Sequence, residues 1–286
     1  MAVENVQQAM RMMRASLVGD YSAGEVDGFI RLIFEELCGY NTTQLLLNYD
    51  TLLESDVVEK IEDIVARLQR HEPIQYILGS AYFGALRMAV GPGVLIPRPE
   101  TAEIVQRIIS MHGDVQGRVA DLCTGSGCIA VSLALAWHNA QVEGWDISPE
   151  ALSYARHNAV AHGVEVEWRE CDVLRYKPIE ASRYDVIVSN PPYIMDSERA
   201  EMDDNVLQYE PHTALFVADD EPLLFYDAIA EIELKELKPG GVLYFEINRV
   251  MGDACSSMLR DKGFVQVEVL KDFMDADRMV RCVKAH

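Results

Sequence analysis

The sequence predicts an α/β fold in which a parallel, doubly wound sheet, covered by helices on both faces, follows a helical domain and a short β-hairpin. Three observations carry this expectation. After Pro99, segments with helical spacing alternate with segments of strand character through the remainder of the chain. The strand segments are nearly continuous apolar runs, as strands buried on both faces must be, and such alternation builds a parallel sheet. Residues 1–72, by contrast, read as helices only. The expected division is a helical domain over 1–72, a hairpin linker over 73–98 and an α/β domain over 99–286. Ligands then belong at the carboxyl ends of the parallel strands.

In the helical domain, SAGEVDGFIRLIFEELCGY places Val26, Phe29, Ile30, Ile33, Phe34 and Leu37 at helical spacing, with Ser22 as N-cap and Gly39 as the stop. SDVVEKIEDIVARLQR repeats the logic: Val57, Val58, Ile61, Ile64, Val65 and Leu68 form one stripe, and Ser55 is the expected cap. The two stripes are expected to pack on each other. From Pro73, aromatic residues and short apolar runs are broken by Gly79, Gly84, Gly91 and Gly93, the texture of a hairpin bridging two domains. A helix is expected near 100–111, then strand RVADLC, helix CIAVSLALAW, strand VEGWDI and helix PEALSYARHNAVAHG. Strands VEVEWRE and YDVIVSN follow, then helix EPLLFYDAIAEIELKEL, strand GGVLYFEI, a further helix, and strands near 264–270 and 278–284.

Composition bounds the function classes. The chain has 286 residues, 49% hydrophobic and 25% charged, ordinary values for one large or two medium folded domains. Its 46 acidic against 25 basic residues leave a formal charge of −21, which disfavours phosphate backbones and anionic lipid. Residues 1–72 alone hold 13 acidic and 6 basic residues, so they are no basic arm. No apolar run reaches the ~18–20 residues that span a bilayer, and the start MAVENVQQAM lacks the basic and apolar regions of a signal peptide. A cytoplasmic protein with no membrane partner and no direct nucleic-acid partner is therefore expected; a monomer is expected as well, although composition does not decide it. Cys38, Cys123, Cys128, Cys171, Cys255 and Cys282 form no CxxC pair, and the seven histidines form no HxH or HxxxH pair. No metal site is expected, and the cysteines read as small buried thiols.

Two motifs carry chemistry. DLCTGSGCIA, residues 121–130, sits where a strand turns into a helix. Gly125 and Gly127 let the backbone turn tightly and approach a ligand, and a helix beginning near Ser126 offers unpaired N–H groups. Asp146 lies 19 residues beyond Gly127 at the end of the next strand, where its carboxylate can accept hydrogen bonds from both ribose hydroxyls of an adenosine. Without a ligand the same glycines would simply form a tight turn. Gly125-x-Gly127-x-x-Ala130 also fits the dinucleotide fingerprint, so an NAD-dependent dehydrogenase is a rival on this motif alone.

The second motif separates the two. SNPPY, residues 189–193, ends the strand YDVIVSN. Its two prolines remove N–H donors and fix φ, which makes a rigid turn suited to presenting acceptors. The side-chain carbonyl of Asn190 and the backbone carbonyl of Pro191 can each accept one hydrogen of a planar NH₂ group. Tyr193 can stack on that plane and tolerates a nearby sulfonium cation. The plainer alternative is a proline-terminated strand with no chemical role.

DLCTGSG, Asp146 and NPPY, in this order, resemble the S-adenosylmethionine-dependent amino-group methyltransferases of the seven-stranded Rossmann-like fold. VLIPRPETAEIV, residues 94–105, narrows the resemblance to the release factor glutamine methyltransferase family, HemK or PrmC. The resemblance spans essentially the whole chain. NPPY alone is shared with DNA, rRNA and tRNA methylases; together with IPRPET it is specific. The resemblance implies a seven-stranded Rossmann-like methyltransferase domain behind an N-terminal helical bundle and a β-hairpin linker. It implies S-adenosyl-L-methionine as cofactor, held by Cys123, Thr124, Gly125, Ser126 and Gly127, by Asp146 at the ribose, by Asp172 and Val173 at the adenine, and by Asn190. It implies a substrate clamp of Asn190, Pro191, Pro192 and Tyr193, with Asn190, Pro191 and Tyr193 catalytic. The implied substrate is the glutamine of the Gly-Gly-Gln motif in peptide chain release factors, in support of translation termination.

Two positions depart from the family pattern. Cys123 stands where the family usually has glycine, and Ala102 stands where PRPETE has a second acid. Arg98 and Glu100 form either a functional pair or a structural ion pair, and Glu210 and His212 either shape the pocket or are plain loop residues. An amide nitrogen is a poor nucleophile, and acceptors at Asn190 and Pro191 would stabilise charge building on it and aim it at the methyl group. An RNA exocyclic-amino methylase and a cofactor-binding protein without turnover are the alternatives. Against the first, residues 189–212 carry Arg199 as their one basic residue beside six acids; against the second, the clamp is intact.

Overall fold

A computed structural model describes residues 3–178 and 182–286 and divides the chain into one unit of Met1–Gly79 with Asp203–Tyr209 and another of Ser80–Met202 with Glu210–His286. The first unit is helical. It contains α1 (Val6–Leu17), α2 (Ala23–Cys38), α3 (Thr42–Leu47), α4 (Ser55–Leu68) and α5 (Ile74–Leu78), and later in the chain α9 (Asp204–Tyr209). Helix α2 starts where the sequence predicts: Ser22 Oγ accepts the Glu25 N–H while the Glu25 carboxylate accepts the Ser22 N–H, and Gly39 closes the helix at φ 69°. Ser55 is not a cap. Glu54 holds that position without a side-chain bond, and Ser55 is the first residue of α4. The stripes of α2 and α4 do share one core, with Ile30, Ile33, Phe34, Ile61 and Leu68 packed beside Met13 and Leu17 of α1. Ile74 of α5 is buried in the same core, so this unit runs through α5 to Gly79, beyond the boundary read at 72. The hydroxyl of Tyr209 on α9 donates to the Arg70 carbonyl at 2.7 Å.

The second unit opens with the predicted hairpin, β1 (Ser80–Phe83) and β2 (Leu86–Ala89). It is part of the sheet unit and not a free-standing linker. Phe83 and Met88 are buried in that unit's core, and Asn158 binds both the N–H and the carbonyl of Ala89, at 2.7 and 3.0 Å. There follow α6 (Pro99–His112), β3 (Arg118–Leu122), α7 (Cys128–Ala136), β4 (Gln141–Asp146), α8 (Pro149–Ala161), β5 (Glu167–Glu170) and β6 (Tyr184–Ser189). Two short strands, β7 (Ile194–Met195) and β8 (Phe216–Val217), pair in parallel in a sheet of their own that the sequence did not suggest. The chain ends with α10 (Leu224–Glu236), β9 (Leu237–Glu246), α11 (Gly252–Asp261), β10 (Phe264–Lys271) and β11 (Asp277–Lys284).

Seven strands form the main sheet in the order β10-β11-β9-β6-β3-β4-β5. The expected all-parallel arrangement holds from β9 to β5, but β11 runs antiparallel to both of its neighbours. The connection from Asp272 to Ala276 is too short for a crossover helix, so β10 and β11 can only form a hairpin. Alternate residues of each strand serve opposite faces: Val119, Val186 and Val188 join α6 and α7 in one core, while Ala120, Leu122 and Ile187 join α10 and α11 in the other. Strand β3 lies between β4 and β6. The chain leaves it in one direction for β4 and crosses to the other side for β6, which brings Leu122, Asp146 and Ser189 to one edge and opens a crevice there.

Candidate active site

The cofactor-type loop is built from the end of β3 outward. Cys123 takes φ 61°, Gly125 φ 55° and Gly127 φ 78°, so the backbone turns sharply three times within five residues. Gly127 is the N-cap of α7, which begins at Cys128, two residues past Ser126. A Cβ at Gly127 would lie 2.8 Å from the Trp168 ring and 2.9 Å from Ala155 Cβ, so only glycine lets the loop lie against α8. The Thr124 N–H donates to the Trp145 carbonyl at 2.9 Å, tying the loop to β4.

Asp146 is set in place before any ligand arrives. Its Oδ2 accepts the Gly125 N–H at 2.8 Å and its Oδ1 accepts the Ser148 N–H at 2.9 Å, which leaves lone pairs on both oxygens for further donors. Burial pushes its carboxyl up despite these bonds. Beneath the loop lies Asp121, a residue the sequence reading quoted without a role. It accepts the Thr124 hydroxyl at 2.5 Å and the Ala130 N–H at 3.2 Å, and burial beside Asp146 pushes it up to about 7. Its Oδ1 and the Ser126 hydroxyl are buried without a hydrogen-bond partner among the described residues.

These groups border a cavity of about 630 Å³. Of the predicted site residues, Cys123, Thr124, Gly125, Ser126, Asp146, Asp172, Val173, Asn190 and Pro192 line it together. Gly127, Pro191 and Tyr193 do not: the first faces α8, and the Tyr193 ring packs toward the core beneath α10. The apolar walls come from Ile147, Leu174, Phe216 and Phe225, which lie on scattered segments with no common pattern to mark them in the sequence. Thr101 also lines the cavity, and its place within residues 94–105 gave no sign of that role. A predominantly apolar cavity with a few convergent acceptors, a glycine turn at its edge and unspent buried polar atoms suits an adenosine-bearing ligand.

At the opposite wall the end of β6 is pinned to β3 by the Ser189 hydroxyl, which donates to the Leu122 carbonyl at 2.6 Å. Asn190 Nδ2 donates to Thr101 Oγ1 at 3.3 Å, and its Oδ1 accepts no hydrogen bond from the described residues. The Pro191 carbonyl is likewise without a donor among them. The Tyr193 hydroxyl donates to Glu246 Oε1 at 3.2 Å, and Asn248 Nδ2 donates to the Tyr193 carbonyl at 3.4 Å. Burial against the Glu246 carboxyl pushes the Tyr193 hydroxyl up, so it stays protonated.

Arg98 does not pair with Glu100. Its guanidinium meets Glu210 Oε1 at 2.6 Å, and Glu210 Oε2 accepts the Ile96 N–H at 3.1 Å, so the loop acid anchors the segment before α6. The His212 ring stands edge-on to Phe216 at 5.3 Å, between cavity-lining Pro211 and Thr213. Ala102 is buried in the core on the α6 side, where a second acid would have to shed its water. Among the described residues no cluster of three metal-ligating side chains occurs, and no helix is long and apolar enough to cross a membrane.

Comparison with known proteins adds three findings. Residues 101–209 match the methyltransferase small domain, and residues 8–79 match the PrmC N-terminal domain. The release factor glutamine methyltransferase of Bacteroides thetaiotaomicron is 43% identical over 94% of this chain and 96% of its own, and that of Flavobacterium psychrophilum 37% identical over 93% and 94%. The chain is similar in fold to a methyltransferase from Pyrococcus furiosus, with TM-score 0.52 and 18% identity over 79% of this chain and all of that one. It is also similar to the Thermus thermophilus 16S rRNA N2 G1207 methyltransferase, solved with AdoMet and guanosine, at TM-score 0.52 and 20% identity over 72% of this chain and 49% of that one.

Proposed function

Because this chain belongs to the release factor glutamine methyltransferase family and is an S-adenosylmethionine-dependent methyltransferase, we propose that it methylates the side-chain amide nitrogen of the glutamine in the Gly-Gly-Gln motif of peptide chain release factors, supporting translation termination. One observation carries the choice of an amide. Asn190 spends its NH₂ on Thr101 and keeps its carbonyl unspent at the cavity wall, and the Pro191 carbonyl, one residue on, has no donor among the described residues. Two unspent acceptors on consecutive residues suit the two hydrogens of one NH₂ group.

The cofactor supplies an electrophilic methyl group on a sulfonium. Cys123, Thr124, Gly125, Ser126 and Gly127 would form the loop that holds it, Asp146 would accept its ribose hydroxyls, and Asp172 and Val173 would border its adenine. Asn190 stands between cofactor and substrate. The remaining work falls on the chain's acceptors. In the amide, nitrogen's lone pair is delocalised into the carbonyl; as it turns toward the methyl group, the N–H bonds become more acidic. Hydrogen bonds to Asn190 Oδ1 and the Pro191 carbonyl then strengthen, which stabilises the charged transition state more than the ground state. Pro192 keeps the turn rigid, and Tyr193, whose ring packs into the core and whose hydroxyl donates to Glu246, braces the turn from behind. The methylated nitrogen gives up its extra proton to water. The partner is a protein and not RNA: Arg199, the basic residue of the 189–212 flank, is held by Asp196 at 2.9 Å and covers the Phe216 ring.

The test is single-turnover methylation of a release factor, with rRNA and tRNA as alternative acceptors, for wild type, Asn190→Ala and Asn190→Asp. Asn190→Ala is expected to slow transfer on the order of 10²- to 10³-fold while S-adenosylhomocysteine affinity stays nearly constant. Label entering RNA, or an unchanged rate in folded Asn190→Ala, would overturn the reading.

A further inference from the structure

Behind the clamp lies a second set of hydrogen bonds that decides which end of the Asn190 amide faces the cavity. Glu246 ends β9, the neighbour of β6 in the sheet, and its side chain is buried. Its Oε2 accepts the Thr101 hydroxyl at 2.7 Å and its Oε1 accepts the Tyr193 hydroxyl at 3.2 Å. The Tyr226 hydroxyl donates to the Glu246 carbonyl at 3.2 Å and steadies the strand end. A hydroxyl has one hydrogen to give. Thr101 gives it to Glu246, so toward Asn190 the same oxygen can only accept, and it accepts from Nδ2 at 3.3 Å. The Asn190 carbonyl is thereby left toward the substrate.

We propose that Glu246 is a positioning residue: through Thr101 it sets the donor–acceptor polarity of Asn190, and through the Tyr193 hydroxyl it anchors the far end of the rigid turn that carries Asn190. This rests on the reading of Asn190 as an acceptor for the glutamine NH₂. An ionised carboxylate has no hydrogen to donate, so the direction of the whole chain of bonds is imposed from its buried end. Were that end able to donate, the Thr101 hydroxyl would turn toward Asn190 Oδ1 and the amide would rotate by half a turn. Asn190 would then offer its own NH₂ to an NH₂ substrate, a donor against a donor.

The charge state of Glu246 therefore matters. The groups facing it are Glu100 and Thr101 from α6, Cys128 from α7, Tyr193 beyond β6, Tyr226 from α10 and Arg278 from β11. Burial pushes its carboxyl up to about 7, with Glu100 acting in the same direction and the Thr101 and Tyr193 bonds and Arg278 opposing it. Arg278 is itself held by Asp272 at 3.0 Å. Ionised and protonated forms consequently exchange within the neutral range, and the ionised form is the one that sets the productive polarity.

The experiment compares wild type, Glu246→Gln, Thr101→Val and Thr101→Ser in single-turnover methylation of a release factor from about pH 6 to 9. S-adenosylhomocysteine affinity and melting temperature are measured beside it, and the side-chain amide resonances of ¹⁵N-asparagine-labelled protein are followed through the same range. The wild-type rate is expected to climb through the neutral range and level off, with the Asn190 NH₂ resonances moving in step. Glu246→Gln and Thr101→Val should transfer roughly 10- to 100-fold more slowly at high pH, with flat profiles and nearly unchanged cofactor-product affinity. Thr101→Ser, which keeps the hydroxyl, should recover most of what Thr101→Val loses. If wild type methylates release factor but Glu246→Gln and Thr101→Val stay within about twofold of it at every pH, the positioning role is overturned and the function stands. If wild type modifies no release factor, the function fails, and the Asn190 resonances alone decide the polarity: failure to respond to pH sinks it. Should Glu246→Gln not fold, the Thr101 pair carries the same test.

Discussion

Cys123 shows how much one residue's backbone can demand. At φ 61° it sits in the left-handed region directly after β3, where an L side chain costs about 1 kcal/mol and a β-branched one more. The residue is half-buried at the cavity edge, and Cys38 and Cys171 are half-buried too, so only Cys128, Cys255 and Cys282 are the buried thiols the sequence suggested; desolvation beside Asp146 and Asp121 pushes the Cys123 thiol up, so it stays neutral. Glycine, the residue the family pattern has there, would relieve the strain but lose the half-buried thiol and gain unfolded-state freedom. Cys123→Gly is therefore expected to change stability by less than about 1 kcal/mol and to leave S-adenosylhomocysteine affinity intact. Cys123→Val should lose roughly 2 kcal/mol or more and weaken that affinity, because the branched side chain rejects the turn. Urea unfolding and titration calorimetry check both; equal behaviour of the two variants would show that φ is not the constraint.

On α10 two acids one turn apart meet opposite fates. Glu236 is buried but paired, with the Arg183 guanidinium at 2.5 Å and the Tyr176 hydroxyl at 2.8 Å. Glu233, equally buried, has no hydrogen-bond partner on either oxygen among the described residues, and burial pushes its carboxyl well up. The sign of the linkage follows. With the folded value above the unfolded one of about 4.5, the native state binds the extra proton, so this group's contribution is fully present at low pH and is lost as pH rises above 4.5 toward the folded value. Glu233→Met, which keeps the length and removes the polar atoms, should stabilise the protein by about 1 to 3 kcal/mol at neutral pH. The gain should be smaller near pH 5 than near pH 8, read by chemical denaturation at both. A gain independent of pH would mean that Glu233 is not the titrating group.

At the scale of the whole molecule, each unit has a core of its own, the helical one around Phe34 and the sheet unit's on the two faces of its sheet. No residue proposed for the transfer chemistry comes from Met1–Gly79, and we propose that this segment serves recognition of the proposed protein substrate. A chain starting at Ser80 is expected to bind S-adenosylhomocysteine within about threefold of the full chain while its KM for whole release factor rises at least about tenfold. Normal KM in a folded truncated protein would reduce the helical unit to a stabilising cap.

What the sequence determined by itself was whatever depends on neighbours within about one turn or one strand: the Ser22 cap and Gly39 stop of α2, the order of helices and main-sheet strands after Pro99 though not β7, α9 or β8, the loop of Gly125 and Gly127, Asp146 at the next strand end, and the rigid SNPPY turn. Spacing and propensity are short-range quantities, and they can be read without knowing what lies across the fold. Tertiary structure decided the pairings between distant segments. Arg98 found Glu210 and not the adjacent Glu100, β11 reversed direction because its connection was short, and Asn158 captured the hairpin. Thr101 and Glu246 met 145 positions apart and only there acquired control over Asn190. The reason is physical: the direction of a hydrogen bond and the charge of a buried acid depend on every group that burial brings near them, and those groups are chosen by how the sheet and helices pack.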